Sequence, residues 1–241
     1  SLIYAFHPVA GENINYINCR SSILLTSFMF LGIFALQKFM EGTREKSRIW
    51  LVLLNLFFGL ALLTKESAVV FPGMVFLYYW IFSERPKSEK LRNGFYLFLP
   101  MAMILLGYLL LRMFFFGKIF TGTALPRSPL VNFLTELKAY FWYMGLFLYP
   151  IPLSIEHSLA VEESFFSWKV MMSGFGLLFL VFVVLYSVLR SKSQWSILGF
   201  FIGFYVLGLV PTTSFVPLNL LVSERALYPS LFGLTGIFAL V

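Results

Sequence analysis

The chain has 241 residues, of which 59% are hydrophobic, 20% aromatic and 12% charged, and its mean hydropathy is +0.85. A soluble domain is about 45 to 50% apolar and about 25% charged, so too few polar side chains remain here to cover a water-facing surface. The only cysteine, Cys19, excludes a scaffold held by internal disulfides. The composition therefore predicts an all-α, polytopic helical membrane protein that is integral to its membrane.

Apolar runs close to the length that crosses a hydrocarbon core recur along the chain, about 20 helical residues for about 30 Å. The run 49–82 is too long for one span, because a single helix would measure about 51 Å. Since Lys65 and Glu66 interrupt it, we expect a hairpin of two shorter helices. The predicted spans are 21–39, 49–63, 67–82, 94–111, 170–189, 195–210 and 227–241 of a single partial transmembrane domain, 1–241.

Basic loops predict the orientation, because positive residues near helix ends are retained on the cytoplasmic side. The loops 38–48 and 83–92 are rich in Lys and Arg, and a shorter strip carries Arg190 and Lys192. All three are predicted to be cytoplasmic. This positive-inside pattern accounts for the net charge of +7, and no basic stripe with interleaved aromatics indicates nucleic acid.

The segment 117–167 is predicted to lie on the outer face and is too long for a simple connection. Because successive spans alternate in direction, all three basic loops can be cytoplasmic only if the run 134–150 does not cross the membrane. Its Tyr and Trp residues suit the interface, and Pro150 ends the run early. We therefore predict an interfacial helix there, within a lid or binding region.

Polar residues at the outer ends of the spans are costly in hydrocarbon and so indicate a functional site. Pro8 is expected to push His7 out of helical geometry and to open a helix. On that helix Glu12, Tyr16 and Arg20 would fall on one face, a ridge able to bind a sugar or phosphate. The alternative is an amphipathic helix whose charges only face water.

Three further polar clusters and one isolated arginine lie near the same face. Three of these four features have an ordinary structural explanation. Lys65 and Glu66 would lie at a hairpin tip, which is normally polar, and Glu224 with Arg225 could form an ion pair that caps the last helix. Arg112 lies near a helix end, where an arginine side chain usually extends to the interface. The sharper interpretation is that guanidinium groups at this depth bind a lipid phosphate. The clusters are Lys65 with Glu66; Arg127 with Glu156 and His157; and Glu224 with Arg225; the isolated arginine is Arg112.

No generic catalytic motif is present, and neither histidine has a metal-ligand neighbour at helical or turn spacing, so no metal site is predicted. The clusters, in their order, resemble the membrane part of the GT-C glycosyltransferases, specifically the transmembrane and tetratricopeptide-repeat O-mannosyltransferase family and its bacterial relatives. The matching segments are 7–9 (HPV) with Glu12 and Arg20, 62–68 (LLTKESA), 149–157 (YPIPLSIEH) and 223–230 (SERALYPS).

This resemblance implies an enzyme that transfers a mannose-like hexose from a polyprenyl-phosphate carrier to a protein or glycan acceptor. The reaction would take place on the outer face of a bacterial inner membrane or in the lumen of the endoplasmic reticulum. The expected partners are membrane lipid, the lipid-linked sugar and the acceptor. No cofactor is expected besides the donor, and the use of a divalent metal is left open.

The family's acceptor-activating base is an Asp in the first outer loop, N-terminal to the residues of this chain. All 11 acidic residues are Glu, the chain starts without Met, and it stops inside an apolar run. We therefore expect a fragment that lacks the first helix and that loop and is inactive alone. The tetratricopeptide repeats of the family are absent from the chain.

The resemblance also implies residue roles. Arg225, with Arg112 or Lys65 as second candidates, would neutralise the carrier phosphate as it leaves. A non-enzymatic lipid-linked sugar flippase or a transporter is the competing class, which would place charges at midplane depth, and a structural scaffold is a third. The residues expected to line the sugar and acceptor pocket are His7, Glu12, Arg20, Glu66, Glu156, His157 and Glu224.

Overall fold

The structure is a computed structural model that describes residues 2–42, 44–117, 128–151, 153–154, 157, 159–190, 194–213 and 222–240, without the side chains of 44–46 and 194. Three residues named above, Arg127, Glu156 and Lys192, lie outside these ranges. Helices dominate the described residues, and the pairing of β type among them is an isolated antiparallel bridge between His157 and Val222. The all-α prediction is confirmed.

Ten α-helices follow one another in the described chain, with short 3-10 turns between some of them. The 3-10 turns are Pro8–Ala10, Ile17–Cys19 and Glu66–Val70. The α-helices are α1 (Leu2–Phe6), α2 (Gly11–Asn15), α3 (Arg20–Glu41), α4 (Arg44–Thr64), α5 (Phe71–Phe82), α6 (Lys87–Phe116), α7 (Pro129–Leu148), α8 (Trp168–Leu189), α9 (Gln194–Leu209) and α10 (Glu224–Leu240).

Four helical segments of the described chain are long and apolar enough to cross a membrane: Ile17–Glu41, Ser47–Thr64, Lys87–Phe116 and Trp168–Leu189. Two shorter apolar helical segments, Glu66–Phe82 and Trp195–Leu209, coincide with two more of the predicted spans. By length and composition the chain is thus compatible with a membrane, and the full set of seven spans stays a prediction.

The predicted break in the run 49–82 is present. Helix α4 ends at Thr64, Lys65 is extended with φ −158° and ψ 137°, and a 3-10 turn leads from Glu66 into α5. The Thr64 hydroxyl donates to the Leu60 carbonyl and closes the last turn of α4. Two charged residues placed inside an apolar run therefore coincide with the point where the helix stops.

The chain divides into two compact units, Ser1–Ile23 with Gly122–Val241, and Leu24–Thr121. In the first unit α10 packs on α9, α9 on α8 and α8 on α7, and α10 also contacts α1, α2 and α7. Its core consists largely of aromatic and aliphatic side chains from α7, α9 and α10, among them Tyr143, Tyr205, Leu227 and Leu231.

Close packing of α9 against α10 depends on Gly233. A Cβ atom at this position would lie 2.5 Å from the Phe201 carbonyl oxygen and 2.6 Å from the Tyr205 nitrogen. Both are backbone atoms, so no side-chain movement could make room. Small residues at such contacts are how apolar helices approach closely when hydrophobic burial does not drive their association.

The second unit is built from α4, α5 and α6, which contact one another around the 3-10 turn Glu66–Val70, and from most of α3. Phe58 of α4 and Phe71 of α5 are both fully buried, with ring centroids 5.8 Å apart. Phe28 of α3 stacks on Phe57 of α4 at 6.4 Å. The contact between Phe58 and Phe71 joins the helices at either side of the Lys65 break.

Candidate functional site

His7 is extended and precedes the Pro8–Ala10 turn, as predicted from the proline. Its Nδ1 accepts the Val9 N–H at 3.3 Å, and its Nε2 lies 3.0 Å from the Phe147 carbonyl oxygen. This pattern requires a neutral imidazole that carries its proton on Nε2. With both nitrogens bonded and the ring stacked on Phe147 at 4.8 Å, His7 attaches the N-terminal segment to α7.

The prediction of one helix face carrying Glu12, Tyr16 and Arg20 is wrong. Helix α2 ends at Asn15, Tyr16 is extended with φ −94° and ψ 124°, and α3 begins only at Arg20. Asn has a low helix propensity and favours turns, and three Asn residues occur between positions 13 and 18. Tyr16 and Arg20 are exposed, whereas Glu12 turns into the unit.

Glu12 contacts the first turn of α10. Its Oε2 accepts the backbone N–H of Arg225 at 2.9 Å, and the Cys19 thiol lies 3.8 Å from its Oε1. The first N–H groups of a helix have no partner inside the helix, and the helix dipole favours a negative group there. Glu12 therefore caps α10 from a distant part of the sequence.

The environment of Glu12 raises the pKa of its carboxyl above the usual value. Burial is the main cause, and the nearby charge of Glu224 adds to it. The hydrogen bond from the Arg225 N–H, the Arg225 charge and the Cys19 thiol all act in the opposite direction without cancelling the effect of burial. Glu12 is thus a carboxylate that holds a proton more readily than one in water.

Glu224 is 3% exposed, and it opens α10. Its Oε1 accepts the Ser154 N–H at 2.5 Å and lies 3.1 Å from His157 Nε2. The His157 N–H in turn donates to the Val222 carbonyl at 3.1 Å. The sequence left open an ion pair of Glu224 with Arg225 that caps the last helix, but the Glu224 carboxylate instead joins Ser154 and His157 to the start of α10.

Tyr143 of α7 holds the residue before α10 in place. Its hydroxyl donates to the Ser223 carbonyl and accepts the Ser223 N–H, both at 3.1 Å. The side chain is 1% exposed, and burial raises the pKa of its phenol. Sequence reasoning placed Tyr143 among interfacial aromatics. The available signal was general, since a buried tyrosine hydroxyl usually has a partner, but no spacing identifies Ser223 as that partner.

Arg225 is partly buried, and its side chain makes neither a hydrogen bond nor an ion pair with the residues that the structure describes. Its charge acts on Glu12, whose oxygen is bonded to the backbone of the same residue. Glu12 therefore fixes the backbone of Arg225, while the N–H donors of the guanidinium are not used by the residues that the structure describes. Five such donors in a planar fork match the oxygens of a phosphate.

Arg112 and Glu66 form a pair in the second unit. Arg112 Nη2 lies 2.5 Å from Glu66 Oε1, and Nη1 donates to the Tyr108 hydroxyl at 3.2 Å. The Arg112 side chain is 9% exposed and that of Glu66 is 56% exposed. The sequence predicted different roles for the two residues, phosphate binding for Arg112 and pocket lining for Glu66, and no local spacing predicts that they pair. Lys65, beside Glu66, is partly buried.

The first unit thus brings together Glu12, His157, Glu224 and Arg225, and Tyr143 joins them. His7 is in the same unit but bonded to Phe147, and Arg20 is exposed. The described residues contain no group of three or more His, Cys, Asp or Glu side chains that could hold a metal ion. We call the cluster of Glu12, Tyr143, His157, Glu224 and Arg225 the α10 site.

The sequence matches no protein-family model, and no curated protein or solved structure matches it either.

Proposed function

We propose that the chain is part of a polytopic membrane glycosyltransferase that transfers a mannose-like hexose from a polyprenyl-phosphate carrier to a protein or glycan. One observation carries the proposal. Arg225 presents a guanidinium that makes no ion pair within the described residues, while Glu12 holds its backbone at the first turn of α10. A cation on a fixed backbone, with its N–H donors available, suits a leaving phosphate.

The reaction would proceed at the anomeric carbon of the sugar. An acceptor hydroxyl oxygen bonds to that carbon, the bond from the carbon to the phosphate oxygen breaks, and its electron pair stays on the carrier phosphate. The hydroxyl proton passes to a base, for which the family resemblance implies an Asp. Arg225 would stabilise the negative charge that grows on the leaving phosphate, where charged donors contribute most.

The other residues of the α10 site would position Arg225 and the substrate. Glu224 contacts Ser154 and His157, and Tyr143 is hydrogen-bonded to Ser223, the residue before α10. Because three separate parts of the chain meet at the first turn of α10, the backbone from which the Arg225 side chain projects is held with little freedom. A fixed backbone reduces the conformational freedom that Arg225 would lose on binding the phosphate.

Arg112 and Lys65 remain second candidates for the carrier phosphate. The Glu66 carboxylate already neutralises Arg112 at 2.5 Å, so a phosphate would have to compete with that ion pair. Arg225 has no such competitor among the described side chains. This difference is the reason to assign the phosphate to Arg225 first.

The test is sugar transfer by the full-length protein in membranes supplied with radiolabelled polyprenyl-phosphate hexoses. We expect Arg225→Ala to lower the rate about 100-fold or more, as loss of a charged donor at the reacting centre does, and Arg225→Lys to retain part of it. The matched control is Arg48→Ala, which removes an exposed arginine from α4. Equal membrane levels of all variants must accompany the rates.

Two results would contradict the proposal. Transfer unchanged by Arg225→Ala would refute the phosphate role of that residue. Absence of transfer in the unmodified protein, with labelled lipid moving between leaflets instead, would establish the flippase alternative.

A further inference from the structure

A groove of about 400 Å³ lies on the second unit between the end of α5 and the first half of α6. Its walls are almost entirely hydrocarbon. Leu91 and Phe95 are each 64% exposed and Leu99 is 43% exposed, so the groove opens outward along α6. Phe76 and Trp80 of α5 stack on each other at 5.5 Å and form the opposite wall.

One end of the groove is positively charged. The Lys90 ammonium donates to the Trp80 carbonyl at 2.9 Å and lies 5.9 Å from the centre of the Trp80 ring. Lys90 is only 5% exposed, and its carbonyl accepts the Tyr79 hydroxyl at 3.4 Å. The groove therefore ends against a buried cation held at a fixed place by α5.

A second cation, Lys87, lies about one helical turn before Leu91 on α6. Lys87 is the first residue of α6 and is exposed. Leu91 follows it by four residues, Gly94 by seven and Phe98 by eleven, and this spacing puts Lys87 on the groove's face of the helix. The dipole of α6 adds positive potential at its first turn. The segment 84–92 holds four basic and two acidic residues.

We propose that this groove binds an anionic membrane phospholipid, with an acyl chain along Leu91 and Phe95 and the headgroup phosphate at Lys87. The proposal rests on the membrane location proposed above, and not on sugar transfer. Hydrocarbon walls require an apolar occupant, and a cation at the same end requires a negative one. A lipid of the cytoplasmic leaflet, where the loop 83–92 is predicted to lie, satisfies both.

Trp80 reports directly on occupancy. The full-length protein is placed in nanodiscs that contain acyl-brominated phosphatidylglycerol or acyl-brominated phosphatidylcholine at the same mole fraction. The Trp80 signal is taken as the difference between this protein and its Trp80→Phe variant. We expect phosphatidylglycerol to quench Trp80 about five-fold more effectively at low mole fraction, while an outward tryptophan such as Trp195 shows no such preference.

Paired variants separate a local headgroup site from diffuse attraction. Lys87→Gln should remove most of the preference, while Arg92→Gln, which removes the same charge about 140° around the helix, should leave it within two-fold. Gly94→Phe should block quenching of Trp80 by either lipid, because Gly94 lines the groove and the added phenyl ring would fill it. The backbone has room for the substitution, since a Cβ at Gly94 meets only the Phe98 ring, at 4.0 Å. An unchanged midpoint of thermal unfolding checks that the Gly94→Phe variant folds.

Equal quenching by the two lipids, or an equal loss from Lys87→Gln and Arg92→Gln, would overturn the headgroup assignment. Trp80 left unquenched while other tryptophans are quenched would show that no chain enters the groove. If no tryptophan responded to either lipid, the membrane location itself would fail. Lys87→Gln is expected to leave sugar transfer unchanged, so failure of this proposal and failure of the transferase proposal are distinguishable.

Discussion

Glu12 and Arg225 are 213 positions apart in the sequence, and the Glu12 carboxylate accepts the Arg225 N–H at 2.9 Å. The contact joins the N-terminal segment to the first turn of α10. It fills a backbone hydrogen-bonding position that the helix cannot satisfy itself, and it leaves the arginine side chain for another purpose. The chemistry proposed for the α10 site depends on this division between backbone and side chain.

The raised pKa of Glu12 predicts a pH dependence of stability. The unfolded carboxyl titrates near 4.5 and the folded one at higher pH, so between these values the folded protein holds the extra proton. The free energy of unfolding should therefore fall as pH rises through this window. The stabilisation that the extra proton on Glu12 contributes is fully present below the window and is lost above it. Arg225, Glu224 and Cys19 are the groups that act on the carboxyl.

The measurement is the midpoint of thermal unfolding of the full-length protein and of Glu12→Gln in detergent between pH 4.5 and 8. Gln keeps an oxygen for the Arg225 N–H but does not titrate. The unmodified protein should lose stability relative to the variant as pH rises. Parallel profiles would show that Glu12 titrates as it does in water.

Tyr143→Phe should destabilise the start of α10. The change deletes one hydroxyl that bonds both the carbonyl and the N–H of Ser223, and it leaves those backbone groups buried without that partner. We expect a loss of about 1 to 3 kcal/mol in the free energy of unfolding. Hydrogen exchange at residues 223–227 should rise, and Tyr96→Phe, at an exposed tyrosine of α6, is the control.

Glu224 and His157 should be energetically coupled. His157 Nε2 lies 3.1 Å from the buried Glu224 carboxylate, which also accepts the Ser154 N–H. In a double-mutant cycle of Glu224→Gln and His157→Phe, we expect a coupling of about 1 to 3 kcal/mol in the free energy of unfolding. Strict additivity of the two substitutions would mean that the pair contributes nothing.

Gly233→Ala should weaken the packing of α9 on α10 because the added methyl group meets backbone atoms of Phe201 and Tyr205. We expect a cost of about 1 to 3 kcal/mol, typical of overpacking. Gly145→Ala in α7 is the matched control, since nothing lies within 4 Å of its Cβ position. That control should be neutral or stabilising by up to about 1 kcal/mol, because alanine favours helices.

Local signals predicted much of the helical framework. Apolar runs located the long helices, the Lys65 and Glu66 pair marked the break after α4, and Pro8 marked the extended His7. These features depend on neighbours within one or two helical turns, so they can be found in the sequence alone. The spacing of Glu12 and Arg20 suggested one continuous helix, but the chain is extended at Tyr16, between α2 and α3.

The sequence by itself determined the helical class, the apolar segments and the residues whose charge demands an explanation, because composition and periodicity express local physics. Only the tertiary structure decided which of those charges meet. It joined Glu12 to Arg225 and Glu224 to His157, paired Arg112 with Glu66, and placed the hydroxyl of Tyr143 on Ser223. Each contact satisfies a buried polar group with a partner from a distant segment, and only the packing of helices selects that partner.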